Sequence, residues 1–169
     1  MVTGDFQVPK TEGLTAATGE SHVFETHGAE ETIAVGREIA QLLAPPKFLI
    51  LRGDLGAGKT TLVKGIAEGL GAAEAEEVTS PTFTLIHEYE GKFTSDGKKT
   101  PVMLYHLDLY RIEGERQLES LGIDELARPD SIVLVEWGEK FPSVVKRSDG
   151  EIIVKSAGGD ARIITVKLK

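Results

Sequence analysis

The sequence contains no cysteine, which excludes disulfides and thiolate metal sites. Tryptophan occurs once and asparagine not at all, an absence that bears on nucleotide choice below. No apolar run approaches the roughly 18 residues of a membrane span. The first residues carry no basic segment leading into an apolar stretch, so no secretion signal is read and the cytoplasm is the expected compartment. Cations are also scarce. The chain has 169 residues with 19 Lys plus Arg against 27 Asp plus Glu, a formal net charge of -8. Such a balance disfavours direct grip on a nucleic acid, which needs clustered cations to displace counterions. What is present is 40% hydrophobic residues, enough for one buried core, and 19 glycines, which announce several special turns.

Residues 1–21 carry few large apolar side chains and no sustained period, so a flexible N-terminal arm is expected there, followed by a single domain over 22–169. Ser21 to Thr26 reads as a short strand. Val35, Ile39, Leu42 and Leu43 recur at helical spacing between Ala29 and Ala44, ahead of Pro45-Pro46. Lys47 to Arg52 is a short apolar run bounded by prolines and glycine, as a buried parallel strand would be. A glycine-rich turn leads into a helix from Lys59 to Leu70. Strands are expected over Thr82–Tyr89 and Val102–Leu107, separated by a polar stretch from Gly91 to Thr100 whose Gly91 and Ser95-Asp96-Gly97 suggest a hairpin-like connection. Helical stretches over Glu113–Leu121 and Asp124–Ala127 precede a buried strand, Ser131 to Val135, and Glu151–Lys155 and Arg162–Lys167 end the chain as a pair of alternating strands. The sum is an α/β fold, with a mixed, mainly parallel sheet flanked by helices and antiparallel additions at the C-terminal end. Ligands in such sheets sit at the carboxyl ends of the parallel strands.

The segment Gly53-Asp54-Leu55-Gly56-Ala57-Gly58-Lys59-Thr60 matches the phosphate-binding loop in full, with a strand before it and a helix after. Glycines let successive N–H groups point inward at a phosphate, the helix adds its positive end, Lys59 reaches the outer phosphates, and the Thr60 hydroxyl is placed for Mg²⁺. A carboxylate near that metal is expected at the end of a neighbouring buried strand, where Glu136 stands. Trp137 beside it is read as core. Ser80-Pro81-Thr82-Phe83-Thr84 places three hydroxyls around a proline, as a loop sensing a γ-phosphate would. In Tyr105-His106-Leu107-Asp108-Leu109-Tyr110-Arg111 the alternation puts His106, Asp108 and Tyr110 on one face of a strand end. There Asp108 is suited to positioning water, and Arg111 to meeting a phosphate or a partner's acid. The four histidines show no metal-ligand spacing.

The loop alone admits a GTPase, a small-molecule kinase, an ATPase or a nucleotide-gated binding module. Guanine readers use an Asn-Lys-x-Asp stretch and an Asp-x-x-Gly at the second switch; the chain lacks asparagine and has no Asp followed by Gly three residues on. Its seven arginines are scattered and do not form a kinase lid. ATP is the favoured nucleotide and water the favoured acceptor.

Together, Gly53 to Thr61, Ser80 to Thr84, His106 to Arg111, Leu121-Gly122-Ile123-Asp124-Glu125 and Val135-Glu136-Trp137 resemble, in order and spacing, the TsaE family of bacterial ATPases in tRNA threonylcarbamoyladenosine biosynthesis. The resemblance covers about residues 22–168. It implies a P-loop fold and an ATPase that works with the TsaD and TsaB proteins in modifying adenosine 37 of tRNA. It further implies ATP held by Asp54, Leu55, Gly56, Ala57, Gly58, Lys59, Thr60 and Thr61, Mg²⁺ held by Thr60 and Glu136, and hydrolysis supported by Asp108. Ser80, Pro81 and Thr82 correspond to a first switch; Glu31-Thr32 and Arg162 match positions that line the nucleotide. The first 20 residues and the polar connection after Gly91 depart from the family pattern, away from the site.

Overall fold

The structure, a computed structural model, describes residues 19–169. The arm expected over 1–21 lies outside the described residues as far as residue 18; Glu20 and Ser21 belong to the first strand, β1 (Glu20–Thr26). There follow α1 (Ala29–Ala40), β2 (Lys47–Arg52), α2 (Lys59–Gly69), β3 (Ile86–Ser95), β4 (Lys98–Asp108), α3 (Glu115–Ser120), α4 (Ile123–Leu126), β5 (Ser131–Glu136), α5 (Pro142–Arg147), β6 (Gly150–Ser156) and β7 (Arg162–Leu168).

The strands form one seven-stranded sheet in the order β1-β7-β6-β2-β5-β4-β3. From β6 through β2 and β5 to β4 the pairing is parallel. Antiparallel strands close both margins: β7 pairs with β6 and β1, and β3 pairs with β4. The expected antiparallel additions at the C-terminal end are therefore matched by one at the opposite edge.

The two central parallel strands, β2 and β5, bury both faces, which is why they read as apolar runs. Leu49 and Leu51 point with Ile132, Leu134, Ile152 and Val154 into a core capped by α1 and α2. Phe48 and Ile50 point the other way, with Val133, Val135, Tyr105 and Leu107, against the side chains of α3, α4 and α5. Burying each such side chain contributes about 1.5–3 kcal/mol. The helix expected to reach Ala44 ends at Ala40, and Gln41, Leu42 and Leu43 continue in bonds to carbonyls three residues back. Leu43 remains buried, so the apolar spacing outlasts the α-helix.

Two sequence expectations are corrected in the β3–β4 region. Thr82 to Leu85 is a turn and not strand, with Leu85 N–H bonded to the Pro81 carbonyl and Leu85 at φ 74°. Gly91 to Thr100, expected as a connection, is strand on both sides of a two-residue turn at Asp96-Gly97, paired from Gly91↔Val102 to Ser95↔Lys98. Asp96 and Gly97 both have positive φ (52° and 76°), the geometry that matches strand twist in tight hairpins. The polar composition reflects an edge hairpin whose side chains are mostly exposed.

The packing of α1 on α2 fixes the helix that carries the candidate site. The helices meet at Gly36 and Gly65, where a Cβ on Gly65 would overlap the Ile33 carbonyl oxygen and lie 2.9 Å from the Gly36 Cα. Backbone blocks the added atom, so Gly65→Ala is expected to cost about 1–3 kcal/mol by overpacking. A lowered urea midpoint at unchanged slope would register it.

Candidate nucleotide-binding site

Strand polarity gathers the sequence-predicted residues on one edge. At the carboxyl ends of β2, β4 and β5 stand the glycine-rich turn, Asp108 and Glu136, and the β5–β4 register sets Asp108 directly beside Glu136. The β6–β7 hairpin delivers Arg162 to the same edge, and the turn before β3 delivers Ser80 to Thr82.

The loop begins at Gly53, where a Cβ would lie 2.6 Å from the Val154 carbonyl, so a side chain is excluded by the neighbouring strand. Gly56 (φ 80°) and Gly58 (φ 106°) take left-handed conformations, and Gly58 is the N-cap of α2. A Cβ on Gly56 would meet nothing within 4 Å, so it is the left-handed backbone and not crowding that calls for glycine there. Asp54, Leu55 and Gly56 are exposed, Leu55 at 91%; Ala57 is buried, and Gly58, Thr60 and Thr61 are half-buried at the start of the helix.

Lys59 is only 7% exposed. Its Nζ donates to the Gly53 carbonyl at 2.5 Å and lies 3.6 Å from Glu136 Oε1. It also sits 5.0 Å from the centre of the Trp137 ring. Trp137, expected in the core, is half-buried at φ 65° and forms a wall of the site with Tyr110, whose ring lies 5.2 Å away. A residue leaving a strand in a left-handed conformation has no sequence signature when it is not glycine or asparagine.

Glu136, 4% exposed, has both oxygens engaged: Oε1 faces Lys59, and Oε2 is 2.6 Å from His106 Nε2. Strand alternation places His106 on this face without a role; the structure makes it the partner of Glu136. Asp108, also 4% exposed, accepts the Tyr110 N–H at Oδ1 (2.8 Å) and the Thr82 hydroxyl at Oδ2 (3.0 Å). Since Thr82 has one proton and spends it on Asp108, the 2.7 Å contact with Ser80 requires the Ser80 hydroxyl to donate to Thr82. The result is a directed chain, Ser80 to Thr82 to Asp108. Tyr110, expected on the face of His106 and Asp108, lies beyond the strand and is exposed. Arg111 stacks at 4.4 Å over the exposed Phe83 ring.

His87 on β3, unassigned by sequence, fastens the Ser80–Thr82 turn from below. Its Nδ1 donates to the Thr79 carbonyl at 3.2 Å, so Nε2 accepts from the Thr84 hydroxyl at 2.6 Å. Burial pushes the neighbouring Tyr89 phenol above its ordinary value, keeping it protonated beside His87. Two residues matched to the nucleotide make contacts of other kinds. Thr32 is buried with its hydroxyl 2.8 Å from Thr26, and Glu31 accepts the His27 N–H at the start of α1. Arg162 does reach the loop: its Nε donates to the Ala57 carbonyl at 2.7 Å, and its Nη1 donates to Gly159 and Ala161.

This arrangement, a glycine cradle opening a helix with a buried lysine and two buried carboxylates behind it, is suited to holding a polyphosphate and its counter-cation. Residues 26–164 match the model of the family described as threonylcarbamoyl adenosine biosynthesis protein TsaE. The tRNA threonylcarbamoyladenosine biosynthesis protein TsaE of Bacillus subtilis is 43% identical over 142 residues, 84% of this chain and 82% of that one. Its Treponema pallidum counterpart is 35% identical over 141 residues, 83% and 96% of the two chains. The crystal structure of B. subtilis YdiB superposes with a TM-score of 0.61 at 34% identity, covering 89% of this chain and 87% of that one. The fold is a P-loop fold, and the chain belongs to the TsaE family.

Proposed function

We propose that this protein binds and hydrolyses Mg²⁺-ATP in the cytoplasm in support of a TsaD–TsaB complex that forms N6-threonylcarbamoyladenosine at position 37 of tRNA. The observation that carries the hydrolytic reading is the Ser80–Thr82–Asp108 chain beside the Lys59–Glu136 pair. It sets a buried, oriented carboxylate beside Glu136 at the edge that carries the phosphate loop, where a water molecule is the fitting acceptor. Family membership supports the tRNA pathway. The net charge of -8 favours action through protein partners that hold the RNA.

The donors suit Mg²⁺. The Thr60 hydroxyl and the Glu136 carboxylate are hard oxygen ligands, and a carboxylate 4% exposed is stable as an ion only against cationic neighbours, as Lys59 already demonstrates. Thr60 and Glu136 would hold the ion, which when bound supplies charge neutralisation to the β- and γ-phosphates. The loop N–H groups bind the phosphate oxygens. Lys59 leaves the Gly53 carbonyl for the outer phosphates, and Asp108 accepts a hydrogen bond from the attacking water and orients it in line with the γ-phosphorus. Without a supplied arginine, turnover by the isolated chain is slow; phosphate-loop proteins gain roughly 10³–10⁵-fold when one is contributed.

The deciding experiment is phosphate release from ATP, with and without TsaD–TsaB. Glu136→Ala should abolish it, and turnover at the unmodified level in that variant would sink the assignment. Arg162→Met removes the bond to the Ala57 carbonyl. It is expected to raise the Kd for ADP roughly tenfold, about 1.4 kcal/mol, readable with a fluorescent analogue.

A further inference from the structure

His106 sits near the carboxyl end of β4 at 0% exposure, between His87 of β3 and Leu134 of β5. A fully buried imidazole ordinarily satisfies both nitrogens. Here Nε2 meets Glu136 Oε2 at 2.6 Å, and Nδ1 has no partner among the described residues. The tautomer follows. An Nε2 without hydrogen would press its lone pair against those of the carboxylate, and an Nδ1–H would be a buried donor with no acceptor, so the proton belongs on Nε2.

The consequence falls on Glu136. The last torsion of a glutamate is broad and roughly two-fold, so an untethered carboxylate exchanges its oxygens and turns freely. The short bond to His106 removes that freedom: Oε2 is fixed, and Oε1 alone is directed at Lys59 and the phosphate loop. We propose that His106 is a positioning residue that locks the Glu136 carboxylate so that Oε1 is its single ligand to the divalent cation. The proposal rests on the reading of Glu136 as a metal ligand, and it assigns the unpaired Nδ1 a reason: the ring is retained for one directed N–H.

The test compares two amides. In His106→Gln the side-chain N–H falls near the position of Nε2; in His106→Asn it falls near Nδ1 and cannot reach Oε2. Mn²⁺ is titrated into each variant and into the unmodified full-length chain in the presence of ADP and followed by electron paramagnetic resonance. ADP affinity in EDTA is measured in parallel. The expected result is near-normal Mn²⁺ affinity in His106→Gln and a loss of about 10–100-fold in His106→Asn, the range for removing an outer-shell partner of a metal ligand. Metal-free ADP affinity should be alike in both. His106→Leu, which keeps the volume without the N–H, should behave as His106→Asn and serves where a buried amide disturbs folding. Equal Mn²⁺ affinity in the Gln and Asn variants overturns the positioning role while leaving Glu136 as ligand. Mn²⁺ binding by the unmodified chain that Glu136→Gln leaves unchanged overturns the metal-ligand reading itself.

Discussion

Lys59→Ala should reduce ATP turnover by at least about 10²–10³-fold, the usual cost of removing one preorganised donor from a developing phosphoryl charge. The effect should exceed that of a surface lysine because this ammonium is 7% exposed and is directed by three neighbours, the Gly53 carbonyl, Glu136 and the Trp137 ring. Alanine also strips Glu136 of its cation and leaves a buried carboxylate facing only His106. A lower thermal midpoint without nucleotide should accompany the lost activity. Steady-state phosphate release and a melting curve on one preparation separate the two effects. A variant that turns over normally would remove the phosphate loop from the chemistry.

Asp108→Asn is the second large effect, and it divides hydrolysis from mere nucleotide-gated binding. The asparagine oxygen can still accept the Tyr110 N–H, and the side chain keeps its size, so the fold and the loop should be undisturbed. What is lost is an anionic acceptor at the end of the Ser80–Thr82 chain. Turnover should fall by about 10²–10⁴-fold, the range for losing a side chain that accepts a hydrogen bond from the nucleophile, while ADP affinity holds within a few-fold. Association with TsaD–TsaB in ATP should persist. If threonylcarbamoylation by the complex continued at full rate with this variant, occupancy and not hydrolysis would be the working event.

The site was legible in sequence to the extent that its parts are backbone devices or strand ends. The phosphate loop is a run of adjacent residues whose glycines impose their own conformation, and Glu136 stands out because a charge after four buried apolar residues must face something. Asp108 followed from strand alternation, but Tyr110 did not, because alternation stops where the strand stops. His106 escaped a role because its partner lies 30 residues away across a strand pair, and register is not written in either strand alone. The β3–β4 hairpin is signalled by its Asp-Gly pair, while the polarity of the flanking residues hides how far both strands run towards it. For Thr32 the sequence shows a position and not its partner: its buried hydroxyl lies 2.8 Å from that of Thr26, at the end of β1.

The strand that carries the phosphate loop has no sheet partner close to it in sequence. On one side β2 pairs with β5, from Lys47↔Ile132 onward; on the other it pairs with β6, from Leu49↔Gly150. The loop's side-chain clasp, Arg162, comes later still. During synthesis the motif is therefore complete as sequence long before it can exist as a site: when Thr60 has emerged, every strand that will flank it is still unmade. A chain stopped before β6 would carry the whole glycine-rich signature on an unpaired strand edge, exposed to pairing with other chains and unable to hold a phosphate. The phosphate loop thus gains its second flanking strand and its side-chain clasp only once β6 and β7 have been added, long after its own residues.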